Sequence, residues 1–194
     1  MEQKKLFTFS TRILVATALG AALFFILNTF VRIPTPVPAT YIMPSWAIAA
    51  FFGALFGPIT SALMTLIAVI LSGAIDGGMW WSWIIAGGVA GFIYGFAFKF
   101  VNVNRGEFKL KGILIFNAIQ IAGNVIAWFV VAPVLDILIY AEPVELVFLQ
   151  GAVAGLTNII GCAVIGTLLL LAYSATRSKE GSLKKDTDNA DKQA

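Results

Sequence analysis

Histidine is absent from the 194 residues, and cysteine occurs once, as Cys162 in an apolar run. The first absence removes the usual proton shuttle and a common metal ligand, and a lone cysteine excludes an internal disulfide. Charge is scarce as well: 12% of residues are charged and 59% are hydrophobic, against roughly 25% charged in soluble domains. Water is therefore not this chain's main solvent. There is no glycine-rich phosphate loop followed by Lys-Ser/Thr, which excludes ATP hydrolysis by the P-loop route. No Ser-His-Asp or Cys-His set exists, and no paired carboxylates lie within an apolar run, so intramembrane catalysis has no residues to work with. The chain is expected not to be an enzyme and to hold neither metal nor cofactor. Asp76 and Asp136 fall at the ends of apolar runs, unlike the buried charges of a proton-coupled pump. Active transport would draw its energy from elsewhere.

What charge there is has a pattern. Apart from Arg32, every basic residue lies in one of three segments: Lys4, Lys5 and Arg12; Lys99, Arg105, Lys109 and Lys111; and Arg177, Lys179, Lys184, Lys185 and Lys192. One membrane topology puts all three on the same side, which the positive-inside rule makes cytoplasmic. On the other side Arg32 reads as a snorkelling interface residue. It is joined there by Asp76, Asp136, Glu142 and Glu145. That surface is weakly acidic and unsuited to nucleic acid.

A membrane-crossing helix needs about 20 apolar residues. The apolar runs predict an all-α integral membrane protein, a six-helix bundle with spans at about 13–31, 43–56, 58–75, 79–100, 113–134 and 147–173. Both termini are then cytoplasmic. The membrane domain covers residues 1–173, and the hydrophilic residues 174–194 are expected to be a disordered cytoplasmic tail. Phe56-Gly57-Pro58 marks a tight turn between the second and third helices. The loop from Ile33 to Ala39 carries three prolines, each fixing its own φ and extending the residue before it. Such a stiff loop serves as a lid, a wall or a plain spacer.

Small and polar residues form stripes. Ala18 and Ala22 lie one above the other on helix 1 and allow close approach, either by a helix of the same chain or by another protein. Gly87, Gly91 and Gly95 on helix 4 read as internal packing. On helix 5, Asn117, Gln120, Asn124 and Trp128 share one face; on helix 6, Gln150 and Asn158 do so across Ala154. Amides in a lipid span must turn inward, toward other helices or a cavity. Interhelical bonding fits Asn117, near the inner end, whereas Asn124 and Gln150 could equally meet a ligand. Trp80, Trp81 and Trp83 crowd the outer end of helix 4, as an interfacial belt or as a stacking surface for a flat ring. Asp136, Tyr140 and Glu142 add polar groups on that side and read as solvated loop residues.

Taken together, several segments resemble the substrate-binding S components of energy-coupling-factor (ECF) transporters, the vitamin-uptake ABC systems of bacteria and archaea, and in particular the riboflavin-type S component family. The resemblance spans about residues 13–182. It rests on Ile33-Pro-Thr-Pro-Val-Pro, Trp80-Trp-Ser-Trp83, Gly106-Glu-Phe108, Phe116-Asn-Ala-Ile-Gln120 with Asn124 and Trp128, Asp136-Ile-Leu-Ile-Tyr-Ala-Glu-Pro143, and Gln150-Gly with Asn158. It implies a multi-pass protein of the bacterial cell membrane that captures a small vitamin-like molecule near its outer face and docks on a T component powered by two ATPase subunits. Ala18 and Ala22 match the family's docking motif for the T component. The implied ligand-binding residues are Trp80, Trp81, Trp83, Asn124, Trp128, Tyr140, Gln150 and Asn158. Riboflavin, cobalamin and thiamine-related rings are all open as ligands. Two other classes remain at this point: a self-sufficient facilitator or channel, and a structural protein without ligand.

Overall fold

Ser10 opens the first helix, α1 (Thr11–Phe30): its extended backbone lets Oγ accept the Ile13 N–H at 3.3 Å, satisfying one of the orphan donors of a first helical turn. The computed structural model describes residues 10–177. The hydrophilic tail expected after residue 173 lies, from residue 178 onward, outside the described residues. The buried face of α1 carries Thr17, Gly20, Ala21, Phe24 and Asn28, three or four residues apart as a helix requires, and it packs on α3 (Pro58–Asp76). Between them come a two-stranded hairpin, β1 (Ile33–Pro34) with β2 (Tyr41–Ile42), and the short α2 (Ser45–Phe56). The chain reverses from α2 to α3 at Gly57, whose φ of 95° suits glycine. Pro58 then starts α3, where a missing N–H costs nothing.

α4 (Trp81–Tyr94) and the short α5 (Ala97–Phe100) follow. The glycine stripe of α4 is internal: Gly87 faces Trp46, Gly91 faces Ser61, and a Cβ on Gly95 would sit 2.1 Å from the Cα of Pro58. No side chain fits that last gap, so the α2–α3 turn and the end of α4 touch backbone to backbone.

The last two elements are long rods. α6 (Leu110–Asn124) continues through a π-helical stretch, Val125–Val131, into α7 (Ala132–Tyr140). Pro133 explains the widening, since a proline inside a helix has no N–H to give and its ring collides with the carbonyl four residues back. The stretch from Pro133 to Val147, expected as a loop, is thus helical as far as Tyr140. α8 (Val144–Gly161) likewise continues through a π-helical turn, Cys162–Gly166, into α9 (Thr167–Ala175). Gly151 presses α8 against the other rod, where a Cβ would lie 2.1 Å from the Trp128 carbonyl oxygen.

Among the described residues five helical stretches are long and apolar enough to cross a membrane, 11–30, 58–76, 81–100, 110–140 and 144–175, with Ser45–Phe56 a shorter apolar helix. Their outward faces are oily: Leu138 is 74% and Leu14 67% exposed. Apolar exterior on this scale belongs against hydrocarbon, and the fold is that of an all-α membrane protein. Small residues at the helix contacts supply the close packing that such a medium demands. One end of the bundle carries Arg12, Lys99, Lys109 and Arg177; the opposite end carries the hairpin, Arg32, Asp76 and Trp80.

Candidate ligand-binding site

The hairpin end is built around proline and threonine. Pro34, Pro36 and Pro38 stiffen the loop, and Thr35 ties it across: its Oγ1 donates to the Thr40 carbonyl at 2.8 Å and accepts the Val37 N–H at 3.2 Å. Ala39, at the tip, adopts a left-handed φ of 54°, uncommon outside glycine and costly by about 1 kcal/mol or more. From α8, Gln150 Nε2 donates to the Pro38 carbonyl at 2.9 Å and fastens the loop over the bundle. At the loop's root Arg32 donates through both Nη atoms to the two carboxylate oxygens of Asp76, at 2.6 and 2.8 Å, and its guanidinium lies 5.2 Å from the centre of the Tyr41 ring. Arg32 is therefore a bidentate strut between α1 and α3 rather than a snorkelling residue. Hydrogen bonding to Asp76 raises its already high pKa.

Across the bundle, α4 and α7 meet at one carboxylate. Asp136 is 1% exposed. It accepts from Trp80 Nε1 at 2.6 Å, from Trp83 Nε1 at 2.7 Å and from the Ser82 hydroxyl. A buried carboxylate is costly unless its lone pairs are filled, and here indole N–H groups, which can only donate, fill both oxygens. The positive end of α4 adds to the stabilisation. The Trp81 N–H, one of the orphan donors of that helix start, goes to the Tyr140 hydroxyl at 2.9 Å. Asp136 was expected as a solvated loop residue; the unbroken rod through Pro133 is what carries it inside.

Aromatic rings connect these parts. Trp80 stacks on Tyr140 with centroids 4.6 Å apart, and Trp83 stacks on Trp128 at 5.4 Å. Trp128 meets Trp46 edge-on at 4.8 Å, and Trp46 meets Phe24 at 5.1 Å. Each such pair contributes about 0.5–1.5 kcal/mol beyond area burial, so the wall is stiff.

Three adjoining chambers lie between hairpin and bundle. The innermost, about 110 Å³, is lined by Trp46, Trp83, Trp128, Asn28 and Asn158 among others. Toward α7 and α8 a space of about 380 Å³ is bordered by Trp80, Asp136, Glu142 and Gln150. Toward α1 and α3 one of about 650 Å³ is bordered by Arg32, Tyr41, Ser72 and Asp76. Ala39 and Trp83 border all three.

The structure separates the expected site residues. Trp80, Trp83, Trp128, Gln150 and Asn158 reach the chambers. Asn158 is 3% exposed, and among the described residues its side chain has no hydrogen-bond partner, so its amide is open toward the inner chamber. Tyr140 stands behind Trp80, and Trp81 is 49% exposed on the outside. Asn124 is sealed within a ladder: Trp128 Nε1 donates to Asn124, Asn124 to Gln120, Gln120 to Asn117 and Asn117 to Thr167, at 3.0, 3.0, 3.2 and 3.1 Å. Trp128, its partner in that ladder, is the one that borders the inner chamber. Trp46 and Asn28, which also line the inner chamber, went unnoticed in the sequence. Ala18 and Ala22 are exposed on the outer face of α1.

Comparison with known proteins places these features in a context. Residues 8–175 match the family described as ECF-type riboflavin transporter, S component. A UPF0397 protein of Exiguobacterium sp. is 49% identical over 180 residues, covering 92% of this chain and 98% of that one. UPF0397 proteins of Clostridium perfringens and Streptococcus pneumoniae are 44% and 46% identical, covering 96% and 92% of this chain and 100% and 98% of theirs. Among solved structures, that of FolT bound with folic acid superposes with a TM-score of 0.61 over 89% of this chain and 98% of that one. At 15% identity this likeness establishes a shared fold.

Proposed function

The chain belongs to the family of ECF-type riboflavin transporter S components, and from that premise we propose that it is a six-span subunit that captures one vitamin-like molecule beneath the hairpin and delivers it to a T component driven by two ATPase subunits. The observation that carries this reading is the set of chambers meeting at Ala39 and Trp83. The inner one alone is smaller than the roughly 300–1,000 Å³ of ordinary ligand sites. Lifting the hairpin tip would join it to its neighbours. The loop is stiff enough to move as a unit, and the Gln150 clasp is a single neutral hydrogen bond, worth about 1 kcal/mol net. Tryptophan walls and amide groups suit a polar, planar ligand such as riboflavin or a thiamine-related ring.

The basic end of the bundle is cytoplasmic in this account, with both termini there, so that the chambers open outward. Ala18 and Ala22, exposed on α1, support docking to the T component by close approach. Ala18→Trp or Ala22→Trp should leave ligand binding intact and cut uptake by the assembled transporter at least about tenfold, the effect of roughly 1.4 kcal/mol lost at the interface. Undiminished uptake in both variants would remove helix 1 as the coupling face.

Native mass spectrometry of the chain purified from cells supplied with a vitamin mixture tests the function itself. A co-purified vitamin is the expected result. An empty protein that also ignores added vitamins would sink the reading, and uptake by the chain without T component or ATPases would turn it toward a facilitator.

A further inference from the structure

Resting on the reading of these chambers as the substrate site, we propose that they select by charge: the substrate is a planar heterocycle that is neutral or cationic, and the same ring bearing a phosphate is rejected. Among the described residues three carboxylates border the chambers, Asp76, Asp136 and Glu142, against one cation, Arg32. Arg32 spends both Nη atoms on Asp76, so that pair is neutral as a unit. Among the described residues Asp136 and Glu142 have no countercharge in the wall. At the N-terminal turn of α4, a place that favours anions, the side chains of Trp80, Ser82 and Trp83 already hold the protein's own Asp136, and the Trp81 N–H is spent on the Tyr140 hydroxyl.

The same geometry favours a positive or electron-poor ring. An indole whose N–H is bonded to a carboxylate gains electron density on its face, the surface that attracts cations and electron-poor rings. Trp83 is held in this way and borders every chamber. Asn158 supplies the polar complement: its amide, without a side-chain partner among the described residues, matches a ring edge carrying nitrogen or carbonyl groups. For a ligand phosphate held roughly 6–8 Å from one carboxylate, at an effective dielectric of about 20, repulsion weakens binding on the order of thirty- to a hundredfold.

The test presents the full chain in nanodiscs of uncharged lipid with an equimolar mixture of riboflavin, thiamine and pyridoxine and the monophosphate of each. Retained molecules are then identified by mass spectrometry. Retention of a parent ring, with its phosphate at least about thirtyfold weaker, is expected. A phosphate ester retained as well as its parent would overturn the charge rule while leaving the chain a binding subunit. Retention of none would overturn the reading of the cavity and the rule with it. In Asp136→Asn, and in Glu142→Gln should the first fail to fold, the ratio of ester to parent affinity should rise at least about fivefold. A ratio unmoved in every folded variant would show that these carboxylates do not set it.

Discussion

Asn124 on α6 and Asn158 on α8 look alike in the sequence, each an amide set among apolar and small residues of a long hydrophobic helix. The structure gives them opposite circumstances. Asn124 donates and accepts within a ladder running from Trp128 down to Thr167, whereas Asn158 has no side-chain partner among the described residues and borders the inner chamber. The difference teaches that a polar residue in a membrane helix is available to a ligand only when the neighbouring side chains leave it unpaired. An amide spaced three or four residues from other amides closes on them. An isolated one must find its partner across the bundle or in a ligand.

That contrast can be broken by substitution. Asn124→Leu strands the Trp128 N–H and the Gln120 carbonyl and should cost about 2–4 kcal/mol of stability, read as a lower melting temperature in detergent. An unchanged melting curve would show the ladder to be dispensable. Asn158→Leu should behave in the opposite way, with melting unchanged and ligand affinity reduced roughly tenfold, the value of one ligand hydrogen bond of about 1.4 kcal/mol. Gln150, whose amide is paired to the hairpin, is the intermediate case. Gln150→Ala should speed ligand release about fivefold or less by loosening the clasp, with melting lowered by no more than about 2–4 °C.

Much of this was legible from residue types. Gly57-Pro58 marked the α2–α3 reversal, the glycines of α4 marked internal packing, and the prolines before Ala39 marked a stiff loop, because each acts through local backbone geometry. Of the residues that border the chambers, Trp80, Trp83, Trp128, Gln150 and Asn158 were legible as candidates. Asp136 was not, for a physical reason: Pro133 signals a helix end, yet the π-helical stretch before it absorbs the proline and carries the helix seven residues farther, to Tyr140. Nor could the bidentate pairing of Arg32 with Asp76 be read, since it depends on how α1 and α3 pack. Trp46 was hidden by its setting, a short apolar helix in which a tryptophan is indistinguishable from core.

The most direct measurement of the central claim, that ligand sits under the hairpin, is native mass spectrometry of the wild-type chain beside Ala154→Phe, whose ring would fill the inner chamber from α8. One small molecule per wild-type chain, and none in a variant that still melts cooperatively, is the result predicted. Equal occupancy in the two proteins would contradict it.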